Sequence, residues 1–87
     1  RDTVRETVRF RRDEVVRILA AGLDFISQGR AIDGVSREFL DDLAGRLHDQ
    51  VADAVGSMRR DLDNAGVDPD GADVDVAELN SWIGGLA

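Results

Sequence analysis

The sequence has 87 residues and a net charge of −7, since 18 acidic residues outnumber eleven arginines, and it contains neither lysine nor cysteine. The lack of cysteine excludes disulfides, thiol nucleophiles and Cys-based metal sites, and a net-acidic chain lacks the basic face that nucleic-acid binding needs. No apolar run approaches the roughly 20 residues of a membrane-spanning helix and no signal peptide is visible, so we expect a cytoplasmic protein.

Residues 1–28 predict a first helix. Thr3 followed by Glu6 has the spacing of a capping box at its start. One apolar face is formed by Val4, Val8, Val15, Leu19 and Ile26. A second apolar side is formed by Phe10, Ile18, Ala21 and Phe25. The second side indicates either a wider core face or a helix that is covered on two sides, as in a dimeric bundle.

A second long helix follows a short connection, GRAIDGV, over residues 29–35. Ser36 is suited to the N-cap, and Gly66 is suited to a left-handed cap at the end of the helix. The intervening apolar stripe consists of Leu40, Leu43, Leu47, Val51, Ala54, Met58 and Leu62. Because the connection is short, the two helices are expected to pack as an antiparallel hairpin.

The predicted fold is all-α, with residues 1–66 as a helical hairpin and dimerisation module. Two helices cannot cover each other's apolar stripes fully, and a chain this short buries only about 60–65% of its unfolded surface. A homodimeric four-helix bundle is the simplest way to close such a core. The predicted oligomer core consists of Val8, Val15, Leu19, Leu43, Leu47, Val51, Met58 and Leu62.

The C-terminal third is acidic, with seven Asp or Glu and no basic residue over 61–87. Residues 67–75 predict an acidic linker, and 76–87 predict a short amphipathic helix whose apolar face would bind a partner. The predicted partner-binding residues are Leu79, Trp82, Ile83 and Leu86. A helix of this length is not stable alone, so it must pack on the bundle or fold on a partner.

The four aspartates at 68, 70, 73 and 75 do not match a calcium-binding loop. An EF-hand needs Gly at its sixth position and Glu at its twelfth, whereas counting from Asp68 places Gly71 fourth and Leu79 twelfth. We therefore expect no metal site and no cofactor.

The only histidine, His48, lies within LAGRLHDQVADAV, residues 43–55. This stretch resembles the phosphoacceptor box of histidine-kinase dimerisation helices. The resemblance implies that His48 would receive phosphate from ATP and that Asp49 would assist as a base. Two features depart from that family: an Arg-rich lead-in is missing, and no second long helix fits after residue 70. The other interpretation of His48 is a boundary residue at the edge of the core face.

The overall layout resembles the C-terminal docking domains of modular polyketide synthases, in which the last helix binds the next polypeptide. The matching residues are Glu78, Leu79, Trp82 and Ile83 with the acidic run before them. We therefore predict a non-enzymatic oligomerisation and protein–protein interaction module with a protein partner. The alternative is a phosphoacceptor segment that uses His48.

Overall fold

The computed structural model describes residues 2–71, 74 and 76–84. Its helices are α1 (Asp2–Arg30), α2 (Arg37–Asn64) and α3 (Glu78–Gly84), and the described residues contain no strand. The two long helices pack against each other, and α3 contacts both of them. The molecule measures 50 × 16 × 16 Å. The prediction of an all-α chain, with a long helical hairpin and a short C-terminal helix, is confirmed.

The α1 helix approaches α2 closely at two of its glycines. A β-carbon on Gly29 would lie 2.8 Å from Leu40 Cδ2, and one on Gly22 would overlap the side chain of Leu47. These contacts fix the register of the antiparallel pair, because in both of them the two residue numbers add to 69.

The start of α1 differs from the capping-box prediction, since Asp2 is already helical and Thr3 lies inside the helix.

Both ends of α2 are closed by local hydrogen bonds. At the start, the Ser36 hydroxyl accepts from the Phe39 N–H at 3.2 Å. At the end, Gly66 has a φ of +71° and its N–H donates to the Asp63 carbonyl. The Val67 N–H donates to the Leu62 carbonyl at 2.9 Å. This pair of bonds is a Schellman motif, with the usual apolar contact partners at Val67 and Leu62, both buried.

The chain after Gly66 folds back onto the hairpin. Its buried residues join the same core cluster as Met58 and Leu62. They are Val67, Val74, Val76 and Leu79. The Val76 N–H donates to the Pro69 carbonyl at 3.0 Å, which closes the turn before α3. The helix itself spans seven residues and begins at Glu78, two residues later than the predicted start at 76.

Candidate interaction surfaces

Two adjacent arginines of α1 engage different sides of the hairpin. Arg11 Nη1 donates to Asp61 Oδ2 at 2.8 Å and Arg11 Nη2 donates to Ser57 Oγ at 3.0 Å, both on α2. Arg12 instead pairs with Glu78 of α3. We call the side that α3 covers the tail side, where the tail is the described part of the chain after Gly66. The side that carries Arg11 is called the open side.

The tail side is held by apolar burial and by ion pairs, which among the described contacts include those of Arg59 and Arg12. Leu79 of α3 is fully buried. Arg59 Nη2 lies 2.8 Å from Asp70 Oδ1, and Arg12 contacts Glu78. These pairs are partly exposed, so the buried apolar residues contribute most of the stabilisation. The tail is therefore docked within its own chain.

The predicted partner-binding residues differ in their accessibility. Leu79 is inaccessible unless the tail is released, whereas Trp82 and Ile83 are half-buried and pack against the core cluster. Leu86 lies outside the described residues. Trp82 and Ile83 therefore keep surface that a partner could contact while α3 remains docked.

The open side carries large apolar residues that none of the described residues covers. Ile18, Phe25 and Phe39 are 54%, 56% and 56% exposed. Ile18 and Phe25 follow Arg11 at steps of seven residues, so the three share one stripe of α1. Phe39 and the half-buried Leu43 lie on the facing stripe of α2. We define the apolar patch as these four residues: Ile18, Phe25, Phe39 and Leu43.

The patch continues towards the connection between the long helices. Ile32 and Val35 in that connection are exposed, and both are close in sequence to the end of α1 or the start of α2. Of the second apolar side predicted for α1, the structure leaves Phe10, Ile18, Ala21 and Phe25 all exposed. Sequence reasoning did not single out Phe39, although its spacing of four residues to Leu43 is the signal that marks it.

The predicted oligomer-core residues fall into two groups. Five of them are almost completely buried inside the single chain: Val8, Leu19, Val51, Met58 and Leu62. The other three, Val15, Leu43 and Leu47, are half-buried and pack against that core. A second copy is not needed to cover the first group.

The two central stripes of the open side are electrically neutral together, although the whole chain is acidic. The α1 stripe at residues 7, 11, 14, 18, 21 and 25 contains Arg11 and Glu14 as its charged residues. The α2 stripe at residues 39, 43, 46, 50, 54, 57 and 61 contains Arg46 and Asp61. Two positive and two negative charges cancel there, whereas the chain carries −7.

His48 lies on the exposed surface of α2, away from any catalytic cluster among the described residues. Its Nδ1 atom is 3.3 Å from Asp49 Oδ1, and both side chains are accessible to solvent. Across the described part of the chain, no group of three His, Cys, Asp or Glu side chains is placed to hold a metal ion. Asp73 and Asp75, two of the four clustered aspartates, lie outside that part of the chain.

A shallow hollow of about 250 Å³ lies at the end of the hairpin opposite the connection. Thr3, Thr7, Asp61 and Asn64 supply its polar lining. These groups are hydroxyls, a carboxylate and an amide, all of which can form hydrogen bonds.

No helix in the described ranges has the length and apolar character needed to cross a bilayer. No family model, curated protein or solved structure matches the chain.

Proposed function

We propose that the protein is a non-enzymatic self-association and protein–protein interaction module that forms a homodimeric four-helix bundle through its open side. The observation that supports this most directly is the apolar patch. Three large apolar side chains are more than half exposed on one side of the hairpin, while the tail occupies the other side. Contiguous exposed apolar surface of this kind usually marks an interaction site.

The shape of the chain supports the same proposal. A monomeric protein of 9.5 kDa exposes roughly 5,000 Å², whereas this chain exposes 5618 Å². Its radius of gyration is 14.9 Å, against about 12 Å for a compact domain of this length. One long face of 50 by 16 Å has an area of roughly 800 Å², which is what each partner buries in an interface of standard size.

A second copy is the occupant that fits the charge of this surface. Two chains of net charge −7 repel each other, so they can approach closely only through a surface that is locally neutral. The open side meets that condition, whereas a strongly basic or acidic partner would find no complementary charge on it. Phe25 and Phe39 would be the main anchors, because buried aromatic residues dominate the energetics of interfaces.

The tail gives the module a second contact region. Its acidic residues and the exposed parts of Trp82 and Ile83 would contact an Arg-rich partner surface. Binding that also used Leu79 would require α3 to leave the hairpin. In this proposal, therefore, the open side mediates dimerisation and the tail contacts a different protein.

The dimer is tested by sedimentation equilibrium of the full chain. We expect twice the 9.5 kDa mass of one chain. Phe25→Asp is expected to give a folded monomer, because a carboxylate cannot be buried in the apolar interface without a partner. Ala20→Asp adds the same charge at another exposed position of α1 and should remain dimeric. A wild-type chain that is monomeric at all concentrations would contradict the proposal.

A second candidate function is phosphate acceptance by His48, which is favoured by one observation. The imidazole is accessible and lies beside the Asp49 carboxylate, as phosphotransfer would need. Incubation with a histidine-kinase ATP-binding domain and labelled ATP tests it. Label that His48→Gln abolishes would support this function, and absence of label from the wild-type chain would exclude it for that kinase domain.

A further inference from the structure

We propose that the two copies meet on their open sides with their α1–α2 connections at the same end of the dimer. In this same-end arrangement, α1 of each copy lies antiparallel on α2 of the other. The inference rests on the proposed self-association. It adds the orientation of the two copies and the charged residues that favour this orientation.

The register of the hairpin determines which residues would face each other. Gly22 lies against Leu47 and Gly29 lies against Leu40. A residue of α1 and a residue of α2 are therefore level, meaning at the same height along the hairpin, when their numbers add to 69. Phe25 is thus level with residue 44 and lies beside Leu43 on the same open side. In the same-end arrangement, these levels also relate α1 of one copy to α2 of the other.

Large apolar residues are concentrated in the half of the open side nearer the connection. Phe25, Phe39 and Leu43 lie in that half, and the exposed Ile32 continues it. The other half is mostly polar, with Arg11 in contact with Ser57 and Asp61, and the exposed Phe10 lies at its outer edge. The same-end arrangement places the two apolar halves against each other and the two polar halves against each other. Reversing one copy would place its phenylalanines on the polar half of the other and leave polar groups buried without partners.

Charged residues along the outer edges of the open side favour the same arrangement. Helical periodicity places one set of exposed charges on the edge of α1 away from α2, and another set on the edge of α2 away from α1. Each set contains both acidic and basic residues. The α1 set is Glu6, Asp13, Arg17 and Asp24, and the α2 set is Asp42, Arg46, Asp53 and Arg60, of which Arg46 also borders the central stripe of the open side.

In the same-end dimer, each α1 edge lies along the partner's α2 edge at matching levels. Arg17 is then level with residue 52 and beside the partner's Asp53. Asp24 is level with residue 45 and beside the partner's Arg46. Asp13 is level with residue 56, between the partner's Asp53 and Arg60, so it belongs to no matched pair. The two matched contacts on each edge are therefore attractive, and they recur on both edges of the dimer because the interface is isologous.

The reversed dimer places like charges together. In the reversed dimer, each α1 edge lies along the α1 edge of the other copy. The two α1 helices overlap along their whole length when the midpoint of one lies opposite the midpoint of the other. Arg17 lies near the middle of α1, so it would approach the partner's Arg17. Asp53 would likewise approach the partner's Asp53 near the middle of α2. Neither residue has an ion-pair partner among the described contacts of a single chain.

The arrangement also determines what the dimer presents to other proteins. Because the connections share one end, the ends of α2 and both acidic tails lie towards the opposite end. A partner with an Arg-rich surface would meet two tails together, and simultaneous binding would raise its apparent affinity.

Charge reversal on full-length chains tests the arrangement. In the Arg17→Glu homodimer, the carboxylate at position 17 faces the partner's Asp53 on both edges. In the Asp53→Arg homodimer, the guanidinium at position 53 faces the partner's Arg17 on both edges. We expect each variant alone to dimerise at least about tenfold more weakly than the wild type, since like charges across an interface are repulsive. An equimolar mixture should recover dimerisation, because positions 17 and 53 then carry opposite charges on both edges of the mixed dimer. Asp63→Arg, an exposed change of the same charge on the tail side, should remain dimeric.

The outcomes separate this inference from the proposed function. A wild-type chain that never dimerises removes both. A wild-type dimer that is insensitive to both reversals, or a mixture that dimerises no better than either variant alone, overturns the same-end arrangement and leaves self-association standing.

A distance measurement gives a second readout without perturbing the interface. Because the chain lacks cysteine, Asp33→Cys carries a single spin label in the connection. Closely spaced labels in the dimer support the same-end arrangement, whereas a separation approaching the 50 Å length of the molecule overturns it.

Discussion

At the scale of single residues, one glycine inside α2 and one just after it make opposite contributions to stability. Gly66 adopts a φ of +71° at the end of α2, a conformation that costs an L-residue roughly 1–2 kcal/mol. Gly45 lies in the helix interior, where an added β-carbon would meet open space and would gain about 0.5–1 kcal/mol of helix propensity. The same substitution should therefore have opposite signs at the two positions.

We expect Gly66→Ala to lower the free energy of unfolding by about 1–2 kcal/mol and Gly45→Ala to raise it by up to about 1 kcal/mol. Urea denaturation followed by circular dichroism at one fixed protein concentration measures both. Stabilisation by Gly66→Ala would show that the Schellman motif does not end α2 in solution.

At the scale of the elements, α3 depends on its docking to the hairpin. A helix of seven residues has almost no stability of its own in water, so the fully buried Leu79 is its main anchor. Leu79→Ala should cost about 2–5 kcal/mol and release the tail. Trp82 is the only tryptophan and is half-buried in α3, so its fluorescence reports the release directly.

The expected result for Leu79→Ala is a red shift of the Trp82 emission before the hairpin unfolds. Asn80→Ala changes the neighbouring exposed residue of the same helix and should leave the emission unchanged. Identical emission from wild type and Leu79→Ala would mean that α3 is not held by this contact.

The sequence was sufficient to predict the two long helices but insufficient to place the tail. Ser36 and Gly66 mark the limits of α2 through local chemistry, and apolar periodicity identifies its buried face. The docking of Val74 and Val76 depends instead on tertiary contacts with the hairpin, and these valines stand in an Asp-rich stretch that is typical of a linker. Local propensity carries little information about such a segment.

The apolar patch shows a second limit of sequence reasoning. Periodicity identifies two apolar sides on α1, but the register of the hairpin determines which of them faces α2. That register depends on the close approach of Gly22 and Gly29 to leucines of α2, which no pattern within one helix reveals. Phe39 joins Phe25 on the open side only once the two helices are placed together.

At the scale of the whole molecule, a bundle closed by a second copy couples stability to concentration. Mass action stabilises the folded dimer as the total protein concentration rises. Unfolding of a dimer of this size should shift in midpoint by roughly 3–6 °C for a tenfold change in concentration. A monomeric fold shows no such shift.

We therefore expect thermal unfolding of the wild-type chain to move to higher temperature on concentration, with Phe25→Asp as the comparison. That variant removes an anchor that is 56% exposed in the single chain, so it disrupts the interface while the buried residues of the hairpin keep their contacts. Its midpoint should be lower and independent of concentration. The two curves should converge on dilution, because the wild-type dimer then dissociates and both chains unfold as monomers with the same core. Equal concentration dependence in both proteins would mean that the open side does not form the interface.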